Sequence, residues 1–341
     1  MNSRERVLTA IGKKEPDRLP VFCGRIDDLD YWLSHFGMKT EKELRESWGL
    51  DCQKTKYNDI FFTEKGKTVW GSEDNWDAGF SSVKNYPLAA AESARDIEEY
   101  GWPDISKVRF DEISKRILQL DPERARIVSI GFSAIFCTLC DLFGMEETMV
   151  NLYVKPDVIE ASIERFENFM LPVIKRVLDE HAGDMDFFWM GDDFSTQRGI
   201  MIAPEIWRKY FKPVYLKMFA LIKSYGVLVW FHSCGSFTPV IGELVDGGMD
   251  VWETVQAHLE GNEPEVLKKK YGANLSFFGA INCQRTLPFG TPEDVRREVR
   301  ERFRVLGRGG GYIVGPDHSL QKNMPAGNIE ALFDEAHKCS Y

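Results

Sequence analysis

The chain alternates short apolar runs with longer segments in which apolar residues recur every three or four positions. From about residue 120 onward the short runs are rich in β-branched and aromatic residues, which is typical of buried strands. A run at 19–23 predicts an earlier strand, and a further strand between residues 51 and 90 would complete eight. The later runs lie at residues 126–130, 185–190, 227–231, 249–254, 275–280 and 311–314.

The segments between these runs have the spacing of amphipathic helices. Pro156 stands at the first position of one helix, and Pro204 begins another in which Pro213 should produce a kink. Thr291 opens a third helix with the pattern of a capping box. Because alternating strands and helices build parallel sheets, the predicted fold class is α/β. The even rhythm favours a (β/α)8 TIM barrel over an open doubly wound sheet.

Residues 24–110 interrupt this rhythm and are crowded with aromatic side chains. We predict that they form an N-terminal excursion covering the active-site mouth, with a hairpin turn at residues 64–67. The aromatic residues either fasten this excursion to the barrel or line a pocket for a flat ligand. Residues 1–341 are then a single barrel domain that includes the excursion. The aromatic residues are Trp32, Trp48, Tyr57, Phe61, Phe62, Trp70, Trp76, Phe80, Tyr86 and Trp102.

Composition narrows the class of protein. The 341 residues include 53 acidic and 43 basic side chains, for a net charge of −10, which argues against a nucleic-acid partner.

Residues 127–145 carry only one charge, yet Gly131 within them favours a strand, a turn and a buried helix over a membrane span. The C-x-x-C at 137–140 lies in this apolar run and predicts two buried thiols. An odd number of cysteines and no apparent secretory leader predict a reducing cytoplasm.

Polar side chains follow five successive predicted strands at the points where the strands end. In a parallel barrel these carboxyl ends open onto one face, where active sites are found, so the pattern predicts an enzyme. The histidines outside this set, including His258, are predicted to be surface residues. The polar residues at the strand ends are Asp192, Asp193, His232, Cys234, Glu253, Gln256, Asn282, Cys283, Gln284, Asp317 and His318.

Two of these residues, His232 and Cys234, have the spacing of a metal-binding pair. Residues i and i+2 of an extended strand point the same way, so the imidazole and the thiolate can share one ion. Zinc takes such ligands, and a catalytic zinc has three protein ligands and an open position. The third ligand must come from another strand end, where we favour His318 and keep Cys283 as the alternative. A hydrogen-bonded histidine beside an inert thiol is the competing interpretation.

Short motifs recur in order over nearly the whole chain. They are Ser-Arg-Glu-Arg-Val-Leu at 3–8, Pro-Asp-Arg-Leu-Pro at 16–20, Gly-Asp-Asp at 191–193 with Gln197, His-Ser-Cys-Gly at 232–235, Gln256, Phe-Gly at 278–279 with Gln284, Gly-Thr-Pro-Glu at 290–293, and Gly-Gly-Tyr-Ile-Val at 310–314 with Pro325 and Asn328. Together they resemble the uroporphyrinogen decarboxylase superfamily, in particular its corrinoid-dependent methyltransferase branch. The resemblance implies a (β/α)8 barrel with its site at the carboxyl ends of the strands.

The resemblance leaves two branches to compare. Decarboxylases of the family carry Arg-Gln-Ala-Gly-Arg just after the first strand, where the arginines hold substrate carboxylates. Residues 22–28 here keep only Arg25 and add Asp27 and Asp28, which disfavours a decarboxylase. His-x-Cys matches the zinc motif of the methyltransferases instead. Their coenzyme-M-type members have a cysteine near the last strand as third ligand, where this chain has His318.

The implied function is a zinc-dependent methyltransferase that moves a methyl group between a small methylated substrate and a corrinoid protein. An aryl methyl ether is the favoured substrate, because the excursion and the strand ends are rich in aromatic residues, and zinc can stabilise the charge that develops on an ether oxygen. The same zinc could instead activate a thiol as the methyl acceptor. A decarboxylase-type lyase and a zinc-free binding protein remain alternatives. The candidate residues are Asp192, Asp193, Glu253 and Asp317 for catalysis, Gln256, Gln284 and Arg25 for substrate binding, and His232, Cys234 and His318 (or Cys283) for the metal.

Overall fold

The computed structural model describes residues 1–55, 62–64, 67–73, 83, 85–131 and 133–341. Its strands within these ranges are β1 Cys52–Lys54, β2 Phe62–Glu64, β3 Lys67–Thr68, β4 Ala125–Ser129, β5 Phe187–Gly191, β6 Ser195–Thr196, β7 Gly199–Ile200, β8 Leu228–His232, β9 Met249–Val255, β10 Ser276–Ile281 and β11 Tyr312–Pro316.

The α-helices of the same ranges alternate with the longer strands from β4 onward. They are α1 Ser3–Ile11, α2 Leu29–Phe36, α3 Glu41–Ser47, α4 Ala94–Glu99, α5 Phe110–Ile117, α6 Ile135–Phe143, α7 Met145–Val154, α8 Pro156–His181, α9 Pro204–Tyr210, α10 Lys212–Ser224, α11 Thr238–Asp246, α12 Pro264–Tyr271, α13 Thr286–Phe289, α14 Pro292–Arg302 and α15 Ala326–Lys338.

The main sheet is parallel, and one segment of the chain bridges its two edge strands. Its strand order is β1-β4-β5-β8-β9-β10-β11. Residues 19–23 lie between the edge strands: Phe22 N donates to Val314 O (2.9 Å) on β11, and Asp51 N, next to β1, donates to Val21 O (2.8 Å). The segment has only an isolated bridge, Val21–Val314, where we predicted a full strand. It nevertheless closes the ring, and the predicted (β/α)8 barrel is confirmed.

Large aromatic side chains fill the interior of the barrel. Trp230 lies 5.2 Å from Phe187 and 5.5 Å from Phe278 between ring centroids. Helix α1 closes the amino-terminal end of the barrel, because Val7 and Ile11 pack into the same interior cluster. The amino-terminal end of the barrel is therefore covered, and sites in such barrels lie at the carboxyl ends of the strands.

The helix boundaries follow the proline and capping patterns. Pro156 begins α8, and Thr291 caps α14 with a complete capping box, as predicted. The helix expected to kink at Pro213 is instead two helices. It is interrupted at Phe211, and Pro213 lies in the first turn of α10, where its missing N–H costs no hydrogen bond.

Residues 127–145 form the end of β4, a turn and α6, as predicted. Gly131 in the turn has a φ of 117°, which favours glycine. Among the described helices, none is long and apolar enough to cross a membrane.

The described aromatic residues of 24–110 pack on the flank of the barrel. Trp70 stacks on Phe166 of α8 at 5.6 Å, and Trp48 stacks on Phe333 of α15 at 4.9 Å. These contacts correspond to the first of the two interpretations, in which the aromatic residues fasten the excursion to the outer helices. The predicted excursion is not continuous, because β1 lies within residues 24–110 and belongs to the main sheet of the barrel.

The predicted hairpin is present, since β2 pairs antiparallel with β3. Its turn residues 65–66 lie outside the described residues. The same holds for Tyr57, Phe61, Trp76 and Phe80, and for the side chain of Phe62. A roof of aromatic side chains over the mouth therefore stays a prediction. Residues 25–27 do reach the mouth, where they pair with Leu320.

Candidate functional site

Three side chains converge at the carboxyl ends of β5 and β8. In the part of the chain that the structure describes, one group of potential metal ligands, Asp193, His232 and Cys234, has its ligand atoms all within 4.8 Å of one another. The Nε2 atom of His232 lies 3.5 Å from Cys234 Sγ and 3.7 Å from Asp193 Oδ1. The register of β5 against β8, with Gly191 opposite His232, brings Asp193 to this place. Nitrogen, sulfur and oxygen donors at this spacing suit zinc.

The loop after β5 fastens the loop after β8. Asp193 Oδ1 accepts a hydrogen bond from Cys234 N (2.8 Å), and Ser195 Oγ bonds to Cys234 O. Gly235 follows with a φ of 83°, and a Cβ there would lie 2.5 Å from Thr196 O, so the turn requires glycine. Cys234 is thus held in one backbone position beside Asp193.

Glu253 on β9 holds the other nitrogen of the His232 ring. Its Oε1 lies 3.4 Å from His232 Nδ1, and its Oε2 accepts hydrogen bonds from Trp189 Nε1 (2.8 Å) and from Trp230 Nε1. Burial works to raise the pKa of Glu253, but the nearby Lys54 charge and these donors lower it to about 2. A carboxylate on Nδ1 directs Nε2 toward Cys234 and Asp193, as in carboxylate–histidine–metal sites.

Lys54 is a partly buried cation at this site that the sequence analysis missed. It ends β1, its Nζ lies 3.6 Å from Glu253 Oε1, and it stands 3.9 Å from the centroid of the Trp189 ring. Burial lowers the pKa of Lys54, and the charge of Glu253 opposes that effect. The residue would have been found by the same rule as the others, because it is a polar residue at a strand end, but the sequence did not locate this strand within residues 51–90.

The imidazole of His232 and the thiol of Cys234 each favour the charged form of the other. Burial alone would raise the pKa of Cys234, but the charge of His232 and hydrogen bonds from His232 and His318 lower it to about 7. Burial would lower the pKa of His232, whereas Cys234 and Glu253 raise it well above its ordinary value. A thiolate is therefore accessible near neutral pH, which is the form that binds a metal.

His318 stands beside this group, whereas Cys283 is directed elsewhere. His318 is an exposed residue, and the interaction of its imidazole with the Cys234 side chain raises the pKa of His318. Cys283 Sγ donates to His318 O (3.6 Å), and burial raises the pKa of its thiol. The structure thus brings three predicted residues, Asp193, His232 and Cys234, together as a possible ligand set. We predicted Asp193 for catalysis and His318 as the third metal ligand, but Asp193 is the third member of this group.

Asp192 serves helix α6. Its Oδ2 accepts from Phe136 N and Tyr215 OH, each at 2.7 Å, and its Oδ1 accepts from Cys137 N (3.1 Å). Burial raises the pKa of Asp192 to about 6 despite these donors. Both cysteines of α6 are free, but only Cys140 is buried as predicted, whereas Cys137 is partly buried. Desolvation raises the pKa of both thiols.

Asp317 lies at the end of β11 beside His258. Its Oδ1 accepts from Cys283 N (3.0 Å), and burial raises its pKa to about 7. His258 Nδ1 is 3.7 Å from Asp317 Oδ2. His258 is only 18% exposed, so our prediction of a surface histidine is wrong. The loop after β9 turns its side chain toward the end of β11.

The three predicted substrate-binding residues have different surroundings. Gln256 is buried and its Oε1 accepts from Gly235 N (2.8 Å), so it supports the loop after β8. Gln284 is exposed and lies next to His258, whose pKa it influences. Arg25 is exposed at the mouth and forms an ion pair with Asp27 (2.8 Å). Of the three, Gln284 and Arg25 have side chains that a ligand in the mouth can reach.

Comparisons with known proteins point to one family. The family model described as Uroporphyrinogen decarboxylase (URO-D) matches residues 79–339. The uroporphyrinogen decarboxylase of Neisseria gonorrhoeae is 23% identical over 268 residues, which cover 74% of this chain and 70% of that protein. The one from Neisseria meningitidis is 22% identical over the same shares. A methyltransferase from Methanosarcina mazei matches 99% of both chains with a TM-score of 0.74 at 17% identity, a likeness of fold.

Proposed function

The chain belongs to the uroporphyrinogen decarboxylase family, and from that membership we propose that it is a zinc-dependent methyltransferase. It moves a methyl group between a small methylated substrate, an aryl methyl ether by preference, and a corrinoid protein. The observation that carries the proposal is the group of Asp193, His232 and Cys234 at the carboxyl ends of the strands. The preference for an aryl ether rests on the aromatic residues of the sequence.

The donor set fits zinc, because it combines an imidazole nitrogen, a thiolate sulfur and a carboxylate oxygen. Asp193, His232 and Cys234 would hold the ion, with His318 as the alternative to Asp193. A zinc ion there would supply Lewis-acid stabilisation to the ether oxygen as it loses its methyl group, and the reduced corrinoid of a partner protein would supply the nucleophile.

The chain's own groups prepare this centre. Glu253 holds the His232 ring through Nδ1, and Lys54 supplies a positive charge close to that carboxylate. The oxygens of Asp192 are taken by the first turn of α6, so we assign it a structural role. Asp317 is the remaining predicted acid at the strand ends, and it faces His258.

The relatives named uroporphyrinogen decarboxylase make decarboxylation the second candidate. That substrate carries several carboxylates, which need unpaired cations at the mouth. Here Arg25 is paired with Asp27, and Asp28 lies 3.5 Å from Lys322, so the acids offset the nearby basic residues. The charge at this part of the mouth therefore supports the methyltransferase over the decarboxylase.

A metal and methyl-transfer assay tests the proposal. We expect wild type supplied with zinc to hold one zinc per chain and to methylate reduced cobalamin from at least one member of a panel of methoxylated aromatics, methyl thioethers and methylamines. The Cys234→Ala variant should lose the zinc and the transfer while its circular dichroism is unchanged, because the core does not contain the site. Cys339→Ala, which removes a buried thiol of the chain terminus, is the matched control and should keep both.

Two results would count against the proposal. Full zinc content and full activity in Cys234→Ala would show that the site is assigned wrongly. Consumption of uroporphyrinogen without methyl transfer from any member of the panel would favour the decarboxylase.

A further inference from the structure

Lys54 is a cation fixed in one place beside the candidate metal group. Its Nζ lies 3.6 Å from Glu253 Oε1 and 3.9 Å from the centroid of the Trp189 ring. A carboxylate on one side and an aromatic face on the other both favour the charged ammonium. The side chain is only 11% exposed, so solvent screens its charge weakly. A weakly screened positive charge therefore stands next to the residue that contacts His232.

The backbone holds Lys54 at the carboxyl end of the sheet. The residue ends β1, where it stands opposite Ile127 of β4, and the next amide, Thr55 N, donates to Ile127 O (3.0 Å). The Thr55 hydroxyl donates to Ser129 O (3.0 Å) and accepts from Ser129 N (2.8 Å). The Lys54 side chain thus starts from a fixed point, and its contact with Glu253 is built into the barrel.

The charge of Lys54 acts on His232 through Glu253. The Oε1 atom of Glu253 contacts both residues, with Lys54 Nζ at 3.6 Å and His232 Nδ1 at 3.4 Å. A carboxylate on Nδ1 makes an imidazole a stronger metal ligand, and a cation on the same oxygen offsets part of that negative charge. Lys54 also opposes the approach of a divalent ion directly, because both are positive. Both effects lower the affinity for a metal.

We propose that Lys54 is a positioning residue that lowers the affinity of the metal group for zinc and so leaves the bound ion a stronger Lewis acid. A less neutralised ion draws more electron density from an ether oxygen. The part of this inference that concerns methyl transfer rests on the proposed function, whereas the part that concerns affinity rests on the contacts of Lys54. A purely structural role predicts the opposite sign, because a Glu253 without its anchor would orient His232 less well.

Competition with a chromophoric chelator at one neutral pH tests the affinity without any methyl transfer. Lys54→Met removes the charge and keeps the length of the side chain, while two tryptophan N–H groups still hold Glu253. We expect this variant to bind zinc about tenfold more tightly than wild type. Lys54→Gln, whose amide can still donate to Glu253, should show the same gain. Lys54→Arg keeps the charge and should stay within about threefold of wild type.

Lys13→Met is the matched control. Lys13 is another partly buried lysine, and its Nζ donates to Ser276 Oγ (2.5 Å) at the beginning of β10, the opposite end of the barrel. This variant should bind zinc like wild type. The visible spectrum of the cobalt(II)-loaded protein checks the ligand set, because zinc has a filled d shell and no such spectrum. Lys54→Met should keep the wild-type spectrum.

The same variants separate the two proposals. Zinc-loaded Lys54→Met should transfer methyl groups about tenfold more slowly than wild type, because its ion is less electron-poor. The inference is overturned if Lys54→Met binds zinc no more tightly than wild type, if its cobalt spectrum changes, or if tighter binding leaves the transfer rate unchanged. Tighter zinc binding by Lys54→Met, in a protein whose wild type transfers no methyl group, contradicts the proposed function alone.

Discussion

The imidazole of His232 is held on both of its nitrogens. Glu253 contacts Nδ1 on one side, and Cys234 and Asp193 lie at Nε2 on the other. Because Oε2 of Glu253 is occupied by two tryptophan N–H groups, the carboxylate cannot turn without leaving buried donors unsatisfied. The direction of Nε2 is therefore set by residues that do not reach the candidate metal position themselves.

The residue-scale prediction is that Glu253→Gln weakens zinc binding by about tenfold, because the amide keeps the shape but loses the charge that makes His232 a stronger ligand. Competition with a chromophoric chelator measures the zinc affinity directly. Glu260→Gln, at an exposed position after the same strand, is the control and should bind zinc like wild type. Equal affinity of the Glu253 variant and wild type would remove Glu253 from the orienting role.

At the scale of single residues, the sequence predicted the pair of His232 and Cys234 but not the arrangement of the residues around it. His232 ends β8 and Cys234 lies two positions beyond it, so their closeness follows from local geometry. Asp193 comes from the loop after β5, and its approach depends on the register between β5 and β8, which the sequence does not state. Lys54 and His258 were missed because one lies on an unlocated strand and the other on a loop whose path is set by packing.

Helix α6 begins without a capping side chain of its own. Its N-cap residue is Ala134, which makes no side-chain hydrogen bond, and the amides of the first turn are satisfied by Asp192 from the end of β5. Adjacent acids of one loop thus have separate tasks, since Asp192 supports a helix and Asp193 faces His232. Two neighbouring acids at a strand end cannot be assigned from sequence alone, because their roles depend on which neighbour each one meets.

The element-scale prediction concerns this cap. Asp192→Ala should lower the free energy of unfolding by about 3 kcal/mol, because buried amides and the Tyr215 hydroxyl lose their acceptor. Asp192→Asn keeps one acceptor and should cost less. Urea denaturation measures both, and Asp246→Ala, at an exposed helix end, is the control with little expected change. A variant that folds as stably as wild type but loses methyl transfer would give Asp192 a catalytic role instead.

Elements with a strong local signature were predicted best. Apolar spacing, proline and capping chemistry predicted the Pro156 start of α8, the Thr291 cap of α14 and the main-sheet strands β4, β5, β8, β9, β10 and β11. The short strands β6 and β7 were not predicted. Residues 19–23 fell short of a strand because their hydrogen bonds join two edges at single points. The sequence shows how many aromatic residues lie within 24–110, but it did not predict the surface on which they pack.

At the scale of the whole molecule, one buried carboxylate joins the pieces that close the barrel. Asp51 accepts from Arg6 Nη1 (2.7 Å) on α1, from Arg18 Nη1 (2.8 Å) and from Val21 N (2.9 Å). The helix at the amino-terminal end, the closing segment and β1 therefore meet at a single side chain. The alternation of strands and helices predicted the barrel. The hydrogen bonds to Asp51 could not be predicted in this way, because the residues that they join share no sequence pattern.

The whole-molecule prediction is that Asp51→Asn destabilises the fold by about 3 kcal/mol, because two arginines lose a buried partner. Zinc affinity should be unchanged, since the network lies at the opposite end of the barrel from His232. Chemical denaturation and the chelator assay measure the two quantities separately. Asp334→Asn, which breaks only exposed ion pairs with Arg296 and Lys338, is the control and should cost less than about 1 kcal/mol.

The closing segment also bears on how the chain folds as it is made. Val21 is synthesised long before its partner Val314, although the segment that contains Val21 bridges β1 and β11. Until β11 emerges, β1 and β11 cannot be joined, and the nascent sheet keeps an unpaired edge that is prone to wrong association. Ring closure thus waits for the synthesis of β11, and the sheet that positions His232 and Cys234 is closed only after all of its strands have been made.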